Sequence, residues 1–236
     1  MLRRRKDGSG NDRSPSRRAG IGQVLAGSAA ILGFLVVFSA SASASEESNT
    51  PAPNLASQSC TKADKALAEG KSQPAIRLYT QCLETANLTP EQRATVLTNR
   101  GNVYFREGEQ ESATADFDKA IELNPDLTIA YYNRGLAAFV IGRYEDAIAD
   151  SSAAIRLDPT MAAAFYNRGA AYANMKEYPK AIADLTEAIR LRPNWALAYS
   201  ARGDAYLRSG DAENGSRDHA EAARLEPSLG VKPAQQ

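Results

Sequence analysis

The chain has 236 residues, 28 basic and 28 acidic side chains, one histidine and two cysteines. The balance is uneven: residues 1–44 hold seven Lys/Arg against Asp7 and Asp12, which leaves 21 basic and 26 acidic groups in the rest. An acidic body excludes nucleic acid as the main partner, because phosphate binding needs a basic stripe.

At the N-terminus a basic stretch ending in Arg17-Arg18 runs into Val24–Phe38, which contains no charged residue. Alternating Ser and Ala follow from Ser39 to Ser45, then Glu46-Glu47. Basic head, apolar middle and small-residue site describe a secretory signal peptide over residues 1–44. Cleavage after Ala44, or after Ala42, starts the mature chain at Ser45 or Ser43. The competing reading is an uncleaved membrane anchor, since roughly 20 apolar residues span a bilayer. Residues 45–55, with Pro51 and Pro53 and no apolar periodicity, read as a flexible tether.

Beyond the tether one pattern recurs. Gly101, Gly135, Gly169 and Gly203 stand 34 residues apart, and Pro125, Pro159, Pro193 and Pro227 keep the same spacing. A 34-residue period with small residues at set offsets predicts stacked helix-turn-helix units. The full units are 94–127, 128–161, 162–195 and 196–229, each counted from position 1 to 34. Position 8 is glycine in all four. Position 20 is Ala113, Ala147, Ala181 and Gly215; position 27 is Ala120, Ala154, Ala188 and Ala222. Small residues at these places let two helices approach closely. Position 11 is Tyr104, Ala138, Tyr172 and Tyr206, and position 28 is Ile121, Ile155, Ile189 and Ala223. Proline at position 32 stops the second helix.

Four extra residues precede the first full unit. Thr89-Pro90-Glu91-Gln92 predicts a capping box with proline at the first helical position, which lengthens that helix by about one turn. At the other end, position 21, Ile in the third and fourth units, becomes Ser216, position 28 becomes Ala223 and position 24 becomes His219, so the fifth unit covers its own last face and His219 reads as a solvated cap residue. Residues 230–236 read as a disordered tail.

Arginine at position 7 and aspartate at position 23 occur together in every full unit: Arg100 with Asp116, Arg134 with Asp150, Arg168 with Asp184, and Arg202 with Asp218. The array ends favour pairing within a unit, because no full unit precedes Arg100 and none follows Asp218. The functional alternative is a row of ligand-binding arginines, which the aspartates would blunt.

These units resemble tetratricopeptide repeats. The resemblance covers residues 94–229, with residues 56–89 as a degenerate first unit in which Gly70, Ala75, Tyr79, Cys82 and Leu83 match and Ala63 replaces the position-8 glycine. The position-4 aromatic appears as Tyr131, Phe165 and Tyr199, with Leu97 a departure, and Lys176 replaces the turn glycine at position 15. The implied fold is an all-α, right-handed superhelical solenoid of five units. Cys60 and Cys82 fall in the two helices of the first unit; an even count in an exported chain suggests a disulfide, and two buried thiols are the alternative. No other Cys or His lies near enough for a zinc site, and no cofactor is expected.

In such arrays the first helices line a concave groove through positions 2, 5, 9 and 12. Transferred here, with the position-6 asparagines, the rule assigns Asn102, Phe105, Ile129, Tyr132, Asn133, Leu136, Phe139, Tyr166 and Asn167 to a peptide-binding groove. Tyr132 and Tyr166, both at position 5, are expected to face away from the stack and flank one pocket for an apolar anchor. Capture of acidic chaperone tails is not expected, because Thr98, Ala163 and Asn167 stand where that subfamily needs a cation. The chain therefore reads as a non-enzymatic adaptor for protein or peptide partners, exported to the periplasm of a Gram-negative bacterium. The alternatives are an assembly factor anchored in the inner membrane and a regulatory subunit of an envelope enzyme.

Overall fold

The computed structural model describes residues 55–227, and all regular structure among them is α-helical. The helices are α1 Leu55–Ala68, α2 Ser72–Thr85, α3 Pro90–Arg106, α4 Gln110–Leu123, α5 Thr128–Val140, α6 Tyr144–Leu157, α7 Ala162–Asn174, α8 Tyr178–Leu191, α9 Ala196–Ser209 and α10 Ala212–Leu225. The signal segment, residues 45–54 of the tether and the tail lie outside the described residues, while Leu55, the last residue assigned to the tether, opens α1.

Each unit is a pair of helices: α1 with α2, α3 with α4, and so on to α9 with α10. Small side chains make the pairing close. Ala113, Ala147, Ala181, Ala120, Ala154 and Ala188 are fully buried, and Ala222 nearly so. The position-8 glycine leaves room for the position-24 side chain of its own unit: a Cβ on Gly101 would lie 2.7 Å from the Phe117 ring, and one on Gly169 would lie 2.9 Å from Leu185 Cγ. In the last unit His219 takes that slot against Gly203 and sits 3.1 Å from Asp204 through Nε2. It is thus a partly buried packing residue, because position 24 points at the glycine of the facing helix.

Turns follow the local chemistry. Between paired helices the chain turns at a left-handed residue, glycine at Gly70, Gly108, Gly142 and Gly210 but Lys176 (φ 63°) in the fourth unit. A side chain there is disfavoured, so the lysine holds this geometry against its own backbone preference. Each later second helix ends at position 30, and Asn124, Asp158, Arg192 and Glu226 then turn to extended φ of −135° to −142°. A single residue separates each helix end from its proline, and proline at position 32 disfavours helical backbone in the residue before it, so the helix stops at position 30. The extra residues at 89–92 do lengthen α3, to 17 residues against 13 in α5 and α7, and Thr89 and Gln92 form both halves of the capping box.

First helices of successive units also touch: α3 with α5, α5 with α7, and α7 with α9. They form one row, with the second helices packed against it. This row carries the candidate site.

Candidate functional site

The four position-7 arginines form a regular ladder. Arg100 donates through Nε and Nη2 to Asp116 at 2.8 and 2.7 Å; Arg134 to Asp150 at 2.8 and 2.7 Å. Arg168 reaches Asp184 at 2.8 and 2.8 Å, and Arg202 reaches Asp218 at 2.7 and 2.8 Å. Each pair lies within one unit and uses the guanidinium fork at both ends, the strongest geometry for such a bond. The carboxylate bonds hold all four guanidinium groups above their ordinary pKa, against the opposing effect of burial.

A third contact has no signal in residue identity. The remaining nitrogen, Nη1, reaches back to position 25 of the preceding unit: Arg100 to Thr80 (2.8 Å), Arg134 to Asp118 (2.6 Å), Arg168 to Ser152 (3.0 Å) and Arg202 to Thr186 (3.0 Å). Every arginine therefore joins its own two helices and the unit before. Position 25 is threonine, aspartate or serine, so only the shared ability to accept a hydrogen bond recurs. Aromatic rings complete the setting: Arg134, Arg168 and Arg202 lie 5.8, 5.7 and 5.6 Å from the position-4 rings of Tyr131, Phe165 and Tyr199. With every donor pair occupied, these arginines are structural staples and not a free row for ligands.

Cys60 and Cys82 are bonded, with Cα atoms 5.2 Å apart. The bridge ties α1 to α2 in the unit whose repeat pattern is most eroded.

On the first-helix row the structure brings together the residues assigned to the groove but buries most of them. Phe105, Ile129, Asn133 and Leu136 are buried, while Phe139 and Tyr166 are half-buried. Tyr132, expected open at position 5, is only 3 % exposed. The reason is the side-by-side contact of α5 with α7, which carries Tyr166, and of α7 with α9, which follows Trp195. Tyr166 lies 4.7 Å from the Trp195 ring, and the Trp195 ring lies 4.7 Å from the Arg192 guanidinium. Burial pushes the Tyr166 hydroxyl up to about 12 and raises that of Tyr132 as well. Phe139 packs at 5.6 Å on Tyr144.

The asparagines divide. Asn167 donates to Ser151 Oγ at 3.1 Å, from position 6 of one unit to position 24 of the unit before. Asn133 occupies the same place one unit earlier, where position 24 is Phe117 and offers no hydrogen-bonding atom. Both amide atoms of Asn133, and both of Asn102, are buried without a hydrogen-bond partner. Among the described residues no group of His, Cys, Asp and Glu could hold a metal ion, and no helix is long and apolar enough to cross a membrane.

The tetratricopeptide repeat model matches residues 162–194, and a related TPR repeat model matches residues 101–139 and 139–176. Among solved structures the chain is similar to MamA, at 29% identity over 70% of this chain and 95% of that one, with a TM-score of 0.63. MamA from Desulfovibrio magneticus RS-1 aligns at 23% identity over 75% and 97% of the two chains, with a TM-score of 0.66. YrrB, a TPR protein with an unusual peptide-binding site, aligns at 20% identity over 73% and 88%, with a TM-score of 0.61. No curated protein sequence matches the chain significantly.

Proposed function

The chain is a tetratricopeptide repeat protein, and on that premise we propose that it is an exported, non-enzymatic scaffold that holds a peptide segment of an envelope protein on its first-helix row. Arrays of this kind are protein–protein interaction scaffolds; the peptide, the groove and the compartment are our reading.

One observation carries the groove: Asn102 and Asn133 present four side-chain polar atoms on the first-helix row with no partner in the protein. A buried amide atom without a hydrogen bond costs on the order of 1–3 kcal/mol. Such a cost is understandable where a partner's backbone N–H and C=O groups complete the bonds, and carboxamides suit that task because each both donates and accepts. Tyr166, half-buried, supplies apolar surface on the same row, where Tyr132 and Leu136 are buried. Binding there requires the covered side chains to open toward the incoming segment.

Export is supported by the basic, apolar and Ser/Ala-rich order of residues 1–44 and by the Cys60–Cys82 bond, since disulfides persist chiefly in oxidising compartments. Intact mass of the purified protein tests it: a mature chain beginning at Ser45 or Ser43 is expected, and Met1 retained in a membrane fraction would favour the anchored alternative.

The groove is tested by selecting binders from a displayed random-peptide library, with an Asn102→Leu/Asn133→Leu double variant as counter-target. The expected outcome is a set of peptides that bind the natural protein and lose binding to the variant. Peptides that bind both equally well would place recognition elsewhere.

A further inference from the structure

The repeats are templates for one another, and one of them lacks a piece. At position 11 three full units carry tyrosine, Tyr104, Tyr172 and Tyr206, while the third carries Ala138. In the fifth unit Arg202 has two rings within cation–π distance, Tyr199 at 5.6 Å and Tyr206 at 5.9 Å. In the second, Arg100 lies 5.7 Å from Tyr104, whereas in the fourth the Tyr172 ring takes Lys180 at 5.4 Å. Arg134 keeps its position-4 ring, Tyr131, but the position-11 ring is missing.

The gap is open in the structure. A cavity of about 300 Å³ is lined by Ala138 and Arg134 of α5, Ile141 just beyond it, Asp118 of α4, and Asp146 and Asp150 of α6. An apolar cavity of half that size, about 150 Å³, holds a benzene ring. The exposure of Arg134 accords with the missing ring. The Arg134 side chain is 28% exposed against 17%, 22% and 16% for Arg100, Arg168 and Arg202. Ile141, at position 14 like the exposed Met175 of the fourth unit, is 48% exposed and offers apolar surface beside the cavity.

We propose that this cavity is a binding site for a tyrosine side chain presented by a partner protein, which restores the ring that the third unit lacks. The flat face of Arg134 offers the contact that Arg202 makes with Tyr206, and Ala138 and Ile141 offer apolar surface to the ring edge. The lining holds three carboxylates, Asp118, Asp146 and Asp150, against the guanidinium groups of Arg134 and Arg143. That balance disfavours an acidic occupant, while the half-exposed Asp118 and Asp146 at the rim can accept a bond from a phenol hydroxyl. Arg134, Ala138 and Ile141 follow at spacings of four and three residues, so they share one face of α5. Tyr132, Leu136 and Phe139 share the opposite face, so this site is separate from the first-helix groove and does not depend on it.

The test uses the mature protein with methyl-resolved NMR and 4-methylphenol, the free analogue of the tyrosine side chain. A saturable shift confined to the Ala138 and Ile141 methyl groups is expected. Ala138→Tyr, which fills the cavity with the residue the sister units use, is expected to weaken that binding at least tenfold with helical content retained. If Ala138→Tyr loses helical content, Ala138→Leu fills part of the same space and serves instead. Toluene, which lacks the hydroxyl, is expected to bind more weakly than 4-methylphenol. The Asn102→Leu/Asn133→Leu variant should bind the phenol as the natural protein does, whether or not the groove binds peptide. Absence of a saturable shift at these methyl groups, an unchanged response in the filled variant, or equal binding of toluene would overturn the proposal.

Discussion

Removing the Asp184 carboxylate should cost far more than removing a carboxylate from a surface pair on the same helix. Asp184 receives two parallel bonds from Arg168 at 2.8 Å, and the two side chains are 22% and 11% exposed. On the same helix Glu187 pairs with Arg190 at 2.6 Å, but these side chains are 33% and 66% exposed. Breaking a fully buried pair costs about 3–5 kcal/mol, whereas an exposed helical pair contributes about 0.3–0.5 kcal/mol. Partial exposure of Arg168 places its coupling to Asp184 between those limits, at about 2 kcal/mol. For a domain of this size that corresponds to a fall in Tm of about 4–8 °C. Two double-mutant cycles measured by urea unfolding, Arg168→Ala with Asp184→Ala and Arg190→Ala with Glu187→Ala, compare the pairs directly. Arg168→Ala should also cost about 1 kcal/mol more than Asp184→Ala, because it forfeits the bond to Ser152 as well. A coupling of about 0.5 kcal/mol or less for Arg168 with Asp184, equal to the surface pair, would refute the staple.

Three further outcomes follow from other parts of the array. Tyr166 has its hydroxyl raised from an ordinary 10 to about 12 by burial, so its contribution is complete below pH 10 and is lost as pH rises through 12; alkaline unfolding monitored by circular dichroism should show this loss, and Tyr166→Phe should reduce it. Deleting the bridge with Cys60→Ala and Cys82→Ala reopens a separation of 22 residues and should cost about 3 kcal/mol; thermal melting checks this, and unchanged stability would mean that the bridge is not formed in solution. Gly169→Ala places a methyl 2.9 Å from Leu185 Cγ and 3.2 Å from the Ala181 carbonyl oxygen, so it should destabilise by about 1–3 kcal/mol instead of gaining the usual helix-propensity increment of about 1 kcal/mol; a rise in Tm would show that the helix pair relaxes.

The architecture was legible because its determinants repeat. Position 8 must be small where it faces position 24, positions 20 and 27 must be small where helices cross, and proline must end each second helix; these needs write one residue type at one offset. Lys176 shows how strong the rest of the pattern is, since it holds the turn at φ 63° without glycine. The Arg–Asp pairing was also legible, because the array ends favoured partners within a unit. The reach of each arginine to position 25 was not, because Thr80, Asp118, Ser152 and Thr186 share only an acceptor oxygen. Burial of Tyr132 depends on how closely α5 and α7 pack, a distance between units that no single unit encodes. Ala138 stood out as a letter, but its meaning came from the cavity beside Arg134.

A partner segment on the first-helix row is expected to bond to the carboxamides of Asn102 and Asn133. The most direct measurement is an NMR titration of the side-chain amides with a peptide selected as above. The Nδ2 resonances of both asparagines are expected to shift and gain protection from solvent exchange, while backbone amides of α4, α6, α8 and α10 stay unmoved. Binding that shifts the second helices and leaves both carboxamides unchanged would contradict it.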